Sequence, residues 1–273
     1  MDIAEIIDNI REQGYDQFHA TARLCQDIVM KALAQSTLRR SVTIKGGVVM
    51  RSISHDIRRA TRDLDIDFIR YSLDDDSIDS FIGKLNCIEG IVISRIGEIE
   101  ELKQEDYHGK RVHIQIRDEH GNSINSKIDL GVHKNLSIEQ EEYCFDVFVD
   151  EDGASLLVNS KEQMYTEKLR SLLKFGAFST RYKDVFDIYF LCDLVDKVRL
   201  LRCFKEYIFN DQGMKENTMQ DILRRVHKTF CNSAYRDKLA STEVNWLNAD
   251  VLVVLSTIES FLRNVEEQDG NTN

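Results

Sequence analysis

TIKGGVVMRSISHDIRRATRDLDIDFIRY, residues 43–71, is the stretch from which the rest of the chain can be organised. An apolar, strand-like start runs into Gly46 and Gly47 and then into an amphipathic segment, as a strand, a tight turn and a helix would. Glycines there leave no side chain in the way of a close backbone approach, and the N–H groups opening the following helix suit an anion such as a triphosphate. Asp63, Asp65 and Asp67 then alternate with Leu64, Ile66 and Phe68. Because strand side chains alternate faces, the three carboxylates project from one side and their neighbours enter the core. Three like charges in a row are costly unless they meet water or a cation, and a hard divalent ion with oxygen ligands is the natural compensation. Asp67, farthest from the turn, is expected to be solvated surface.

Working outward, a site with two metal ions needs a further carboxylate from another strand. Asp129 is the candidate, since Ile124, Ile128 and Leu130 give its segment a partly buried strand character. Residues 3–35 carry apolar side chains at helical spacing, with Gly14 near a break between two helices. Strand-like runs follow at 41–45, 64–70, 90–98, 111–117, 124–132 and 145–149, interrupted by helical segments at 47–54 and 76–85. From about residue 161 the pattern is helical, through 164–173, 182–194, 200–209, 219–230 and 251–262. The expected fold class is α+β, with a helix-flanked mixed β-sheet over residues 1–158 and a helical domain over 159–273.

The 273 residues carry a net charge of −11, so a polyanionic partner is repelled at long range and must meet a local basic patch. Residues 161–240 hold 16 Lys plus Arg against 11 Asp plus Glu, which places the basic character on the helical half. No run approaches the ~18 apolar residues of a membrane span, and the first residues lack the basic and apolar regions of a signal peptide. A cytoplasmic protein that avoids membranes is the expectation. The six cysteines form no Cys-x-x-Cys pair and sit mostly among apolar neighbours, so reduced core thiols are expected. The histidines share no metal-ligand spacing, and Trp246 carries no signal.

Three pieces in this order, Lys45-Gly46-Gly47, the run Arg59-Ala60-Thr61-Arg62-Asp63-Leu64-Asp65, and Arg181-Tyr182-Lys183-Asp184-Val185-Phe186-Asp187, resemble the AbiEii/AbiGii toxin family. These are minimal nucleotidyltransferases similar in fold to the DNA polymerase beta superfamily, and the resemblance spans roughly residues 40–195. It implies a nucleotidyltransferase domain followed by a helical domain that binds the acceptor or a partner. It further implies that Gly46 and Gly47 cradle NTP phosphates, and that Asp63, Asp65 and Asp129 hold two Mg²⁺ ions. Lys168, in Glu167-Lys168-Leu169-Arg170, matches a family lysine as a phosphate contact, and Lys183 and Asp187 match the last motif. Spacing adds that Arg181, Asp184 and Asp187 share a helix face, with Lys183 four before Asp187; Asp184 is read there as a helical salt bridge. In one departure, Val48 stands where the superfamily often has a hydroxyl residue, leaving phosphate binding to backbone N–H groups and basic side chains.

The resemblance implies transfer of a nucleoside monophosphate from an NTP to an RNA 3′ end, tRNA above all, by a toxin that a partner antitoxin neutralises. Two alternatives stay open in the sequence. One keeps the chemistry with a protein or small-molecule acceptor, which an acidic chain favours slightly; the other is a non-catalytic binding module of the same fold.

Overall fold

The computed structural model describes residues 1–104, 107–133, 135, 137–241 and 243–270. The chain forms two compact units, Met1–Asn159 and Ser160–Asn273.

The first unit opens with α1 (Ile3–Glu12) and α2 (Gln17–Gln35), separated at Gly14, whose φ of 101° turns the chain between them. Asp2 and Asp16 cap the two helices through bonds to Ala4 N and His19 N. Seven strands then form one mixed sheet: β1 (Val42–Lys45), β2 (Leu64–Phe68), β3 (Ile91–Gln104), β4 (Tyr107–Asp118), β5 (Ser123–Val132), β6 (Glu141–Val147) and β7 (Asp150–Val158). Their order across the sheet is β3-β4-β5-β2-β1-β7-β6. β2 therefore lies at the centre, antiparallel to β1 and parallel to β5. α3 (Gly46–Ser54) follows β1 directly, and α4 (Asp75–Lys84) follows β2. Leu64, Ile66 and Phe68 are buried, with the Phe68 ring 5.0 Å from that of Phe81 on α4, so the apolar half of the alternation enters the core.

The run expected as one strand at 145–149 is instead a hairpin. β6 ends at Val147, and β7, which the sequence reading missed, crosses back to pair in parallel with β1. Its acidic start, Asp150-Glu151-Asp152-Gly153, hides the Ala154/Leu156/Val158 alternation that is buried.

The second unit is helical: α5 (Lys161–Phe175), α6 (Lys183–Leu191), α7 (Lys197–Phe204), α8 (Met219–Phe230), α9 (Ser233–Leu239) and α10 (Val251–Gly270). Ser160, Asp196, Thr218 and Asn232 cap α5, α7, α8 and α9 through side-chain bonds. α7 runs on into a π-helical turn, Lys205–Phe209. The short α9 has no counterpart in the sequence reading. Tyr165 of α5 packs its ring against Phe204 and Phe261, tying α5, α7 and α10 together. No helix among the described residues is long and apolar enough to cross a membrane. Cys25, Cys192 and Cys203 are core thiols as expected, but Cys87, Cys144 and Cys231 are exposed.

Candidate active site

Strand register assembles the acidic motif into a charged lattice. Lys45 lies opposite Asp65 across β1 and β2, Asp65 opposite Asp129 across β2 and β5, and Asp129 opposite Arg111 across β5 and β4. Directly opposed residues project to the same face, so these four side chains make one row across four central strands. Asp63, just before β2, and Lys127, two before Asp129, begin the adjoining row.

Each outer carboxylate of this lattice has a basic partner. Arg111 grips Asp129 with both ends of its fork, Nε to Oδ1 at 2.7 Å and Nη2 to Oδ2 at 2.8 Å. Lys127 Nζ lies 2.9 Å from Asp63 Oδ1, and Lys45 Nζ lies 2.7 Å from Asp67 Oδ1. The last contact overturns the expectation for Asp67, which is 4% exposed rather than solvated surface. Gly131 is its neighbour on β5, so no side chain competes there with the lysine reaching diagonally from β1. Asp65 is half-buried in the middle. Desolvation pushes its carboxyl up to about 6; Asp129, Asp63 and Asp67 add to the rise, and Lys45 opposes it.

The glycine pair is built into the same place. Gly46 has a φ of 70°, and a Cβ there would overlap the Asp65 carboxylate. Lys45, at the N-cap of α3, makes no side-chain capping bond, which leaves the helix start to backbone N–H groups. A Cβ on Gly47 would stand 2.6 Å from Thr61 Oγ1. Thr61 is held in turn from behind: Gln26 of α2, 1% exposed, donates to the carbonyls of Thr61 (3.0 Å) and Asp63 (3.4 Å) and accepts from Arg51 Nη1. Sequence reading missed Gln26, whose only signal is a glutamine within an apolar helical run.

Lys168, Lys183 and Asp187 lie in the second unit. Lys168 Nζ is 2.7 Å from Asp187 Oδ2 and 2.9 Å from Asp184 Oδ1. Asp184 thus pairs from α6 to α5 rather than along its own helix, and Arg181 precedes α6 instead of sharing its face. Asp187 is fully buried, and Trp246 donates its indole N–H to Asp187 Oδ1 at 3.1 Å. The tryptophan that carried no signal in the sequence is a member of this cluster. Lys183 is the first residue of α6 and half-buried.

A model of the family described as nucleotidyl transferase AbiEii toxin, type IV toxin–antitoxin system, matches residues 28–249. The chain belongs to that family. AbiEii membership makes it a nucleotidyltransferase of toxin type, and implies an NTP as substrate and an antitoxin as partner. No curated protein matches. Among solved structures, an antigenic nucleotidyltransferase-like protein from Paracoccidioides brasiliensis is similar with a TM-score of 0.47 and 16% identity, over 82% of this chain and 92% of that one.

Among the described residues no three His, Cys, Asp or Glu side chains converge closely enough to hold a metal ion as they stand. The AbiEii site nevertheless fits a hard divalent cation in kind. Its donors are carboxylate oxygens, Asp65 and Asp129 are register partners on one face, and the raised Asp65 carboxyl marks a place where positive charge is wanted. Lys127 and Arg111 supply that charge to Asp63 and Asp129 in the arrangement seen.

Proposed function

We propose that this AbiEii chain transfers a nucleoside monophosphate from an NTP to an RNA 3′ end, tRNA foremost, in the cytoplasm, as a Mg²⁺-dependent toxin that its antitoxin neutralises. The observation that carries the reading is the row Lys45, Asp65, Asp129, Arg111 beside a glycine turn whose backbone approaches Asp65. Gly46 and Gly47 present the N–H groups opening α3 to the triphosphate. Asp63, Asp65 and Asp129 are the residues that would hold the two Mg²⁺ ions, in place of the Lys127 and Arg111 contacts that Asp63 and Asp129 make here. Bound Mg²⁺ supplies electrophilic charge to the phosphates and acidity to the acceptor hydroxyl.

Asp129 takes the proton of that hydroxyl, whose oxygen forms a bond to the α-phosphorus while the bond to the bridging oxygen breaks. Pyrophosphate carries away the electron pair. Within the second unit, Asp184 and Asp187 fix the Lys168 ammonium. The excess of basic residues over 161–240 supports a polyanionic acceptor.

Incubation with each α-labelled NTP, Mg²⁺ and total RNA tests this directly. Label at RNA 3′ ends, absent after chelation, is the expected result. Label in protein or in a small molecule with none in RNA would overturn the RNA acceptor and leave the transfer chemistry.

A further inference from the structure

A cleft of about 410 Å³ opens in the first unit, lined among others by Tyr15, Arg23, Arg51, Ser52, Tyr143 and Phe148. It lies at the C-terminal end of α3, whose nine residues put it ~12 Å along the helix from the glycine turn. Arg51 in its wall is 3% exposed and only partly bonded. Nη1 donates to Gln26 Oε1, but Nε and Nη2 have no hydrogen-bond partner. Nη2 stands 4.0 Å from Asp27 Oδ1, too far for a hydrogen bond.

Asp27 is hydrogen-bonded through one oxygen only, while Oδ1, the oxygen nearer Arg51, has no hydrogen-bond partner either. Its Oδ2 accepts from Arg23 Nε at 2.9 Å and from the Phe148 N–H at 3.1 Å. Arg23 also donates to the Asp146 carbonyl and rests 5.4 Å from the centre of the Phe148 ring. Of the acids on the cleft wall, Asp56 is paired with Arg58 at 2.7 Å and the Asp146 side chain is exposed to solvent. Two buried guanidiniums, Arg23 and Arg51, therefore share the single buried carboxylate of Asp27, a surplus of one positive charge. A buried guanidinium with an unbonded edge is destabilising unless an acceptor reaches it.

The unbonded Nε–Nη2 edge is the one whose two parallel N–H groups match a carboxylate. A single excess charge matches a monoanion, and Tyr15, Tyr143 and Phe148 give the cleft wall an aromatic character that suits a ring. We propose that the cleft binds a small aromatic carboxylate, with Arg51 turning its Nε–Nη2 edge onto the carboxyl and the ring lying among Tyr15, Tyr143 and Phe148. Such a ligand reaches the transfer site through Arg51 and Gln26 to the backbone of Asp63, without touching the carboxylates themselves.

Fluorine NMR of 4-fluorobenzoate with the full chain tests the proposal independently of any transfer activity. Saturable binding in the range up to ~10 mM is expected, weakened at least about tenfold in Arg51→Gln, the loss of one charge-assisted contact. Because Arg51 is buried and its variant could unfold, Ser52→Phe serves as a second variant: it fills the cleft, leaves Arg51 in place, and should abolish binding. Binding that persists in folded Arg51→Gln or in Ser52→Phe would overturn the proposal, as would no saturable binding to the parent chain. Displacement by inorganic phosphate at equal concentration would overturn the carboxylate assignment.

Discussion

Trp246 donates its indole N–H to Asp187, so the one tryptophan of the chain holds the buried carboxylate that in turn holds Lys168. Both partners are shut away from water, and a lysine and an indole share the two oxygens of the Asp187 carboxylate. Trp246→Phe keeps the ring that packs 5.6 Å from Phe190 but deletes the donor. A loss of about 1.5–3 kcal/mol in denaturant unfolding is expected, the usual worth of a hydrogen bond to a charged group. An unchanged midpoint would mean that the indole bond contributes nothing.

Asp65 makes stability and activity pull in opposite directions. Its carboxyl is raised to about 6, so the folded chain holds this proton more tightly than the unfolded one. Stability from this group is therefore lost as pH rises from about 4 through 6, and the loss is complete above that. Asp65→Asn removes the unfavourable charge. At pH 7.5 without Mg²⁺ the variant should be more stable than the parent by roughly 1–3 kcal/mol, while nucleotidyl transfer falls by ~10³-fold or more. A variant less stable than the parent under those conditions would contradict the electrostatic reading of the row.

How much of this was legible in the sequence depends on the range of the interaction. Alternation within residues 63–68 showed which side chains share a face, and the glycine pair gave the strand-turn-helix, because both are settled by neighbours along the chain. The partners of those carboxylates were not legible. Lys127 and Arg111 meet Asp63 and Asp129 only through the registers of three strands, and a shift of one residue would send either to the other face. Asp67 was misread for that reason: its burial comes from Lys45 on a strand 22 residues earlier and from the bare Gly131 beside it. Gln26 and Trp246 escaped because a single buried polar group leaves no periodic trace.

Gly47 is a steric requirement independent of any phosphate. An added Cβ would stand 2.6 Å from Thr61 Oγ1, 2.8 Å from its Cβ and 3.0 Å from its Cγ2. Thr61 has little room to retreat, since Gln26 ties its carbonyl. Gly47→Ala should destabilise the chain by about 1–3 kcal/mol, as overpacking does. Adding Thr61→Ala, which deletes two of the three crowding atoms, should recover part of the loss in thermal unfolding. Strictly additive single and double variants would sink the contact as its cause.

The strand turn after β4 fixes the N-terminal helix through one carboxylate, and acid should release it. Desolvation raises the Asp118 carboxyl, but donors outweigh it and hold the group at about 2. They are the Ile3 N–H at 3.0 Å, the Asn122 side-chain and backbone N–H groups, each at 2.8 Å, and the His120 N–H at 3.0 Å. A carboxyl depressed on folding contributes stability that is fully present above about 4 and is lost as pH falls toward 2. Asp118→Ala lacks that contribution at every pH. The parent should therefore be the more stable at pH 5, and the two unfolding midpoints should converge as pH is lowered from 4 to 2. Protection of the α1 amides in the parent, taken relative to their intrinsic exchange rates at each pH, should fall over the same interval, because Ile3 loses its charged acceptor. Midpoints that stay equally far apart at pH 2 would show that the Asp118 side chain matters for its packing and not for its charge.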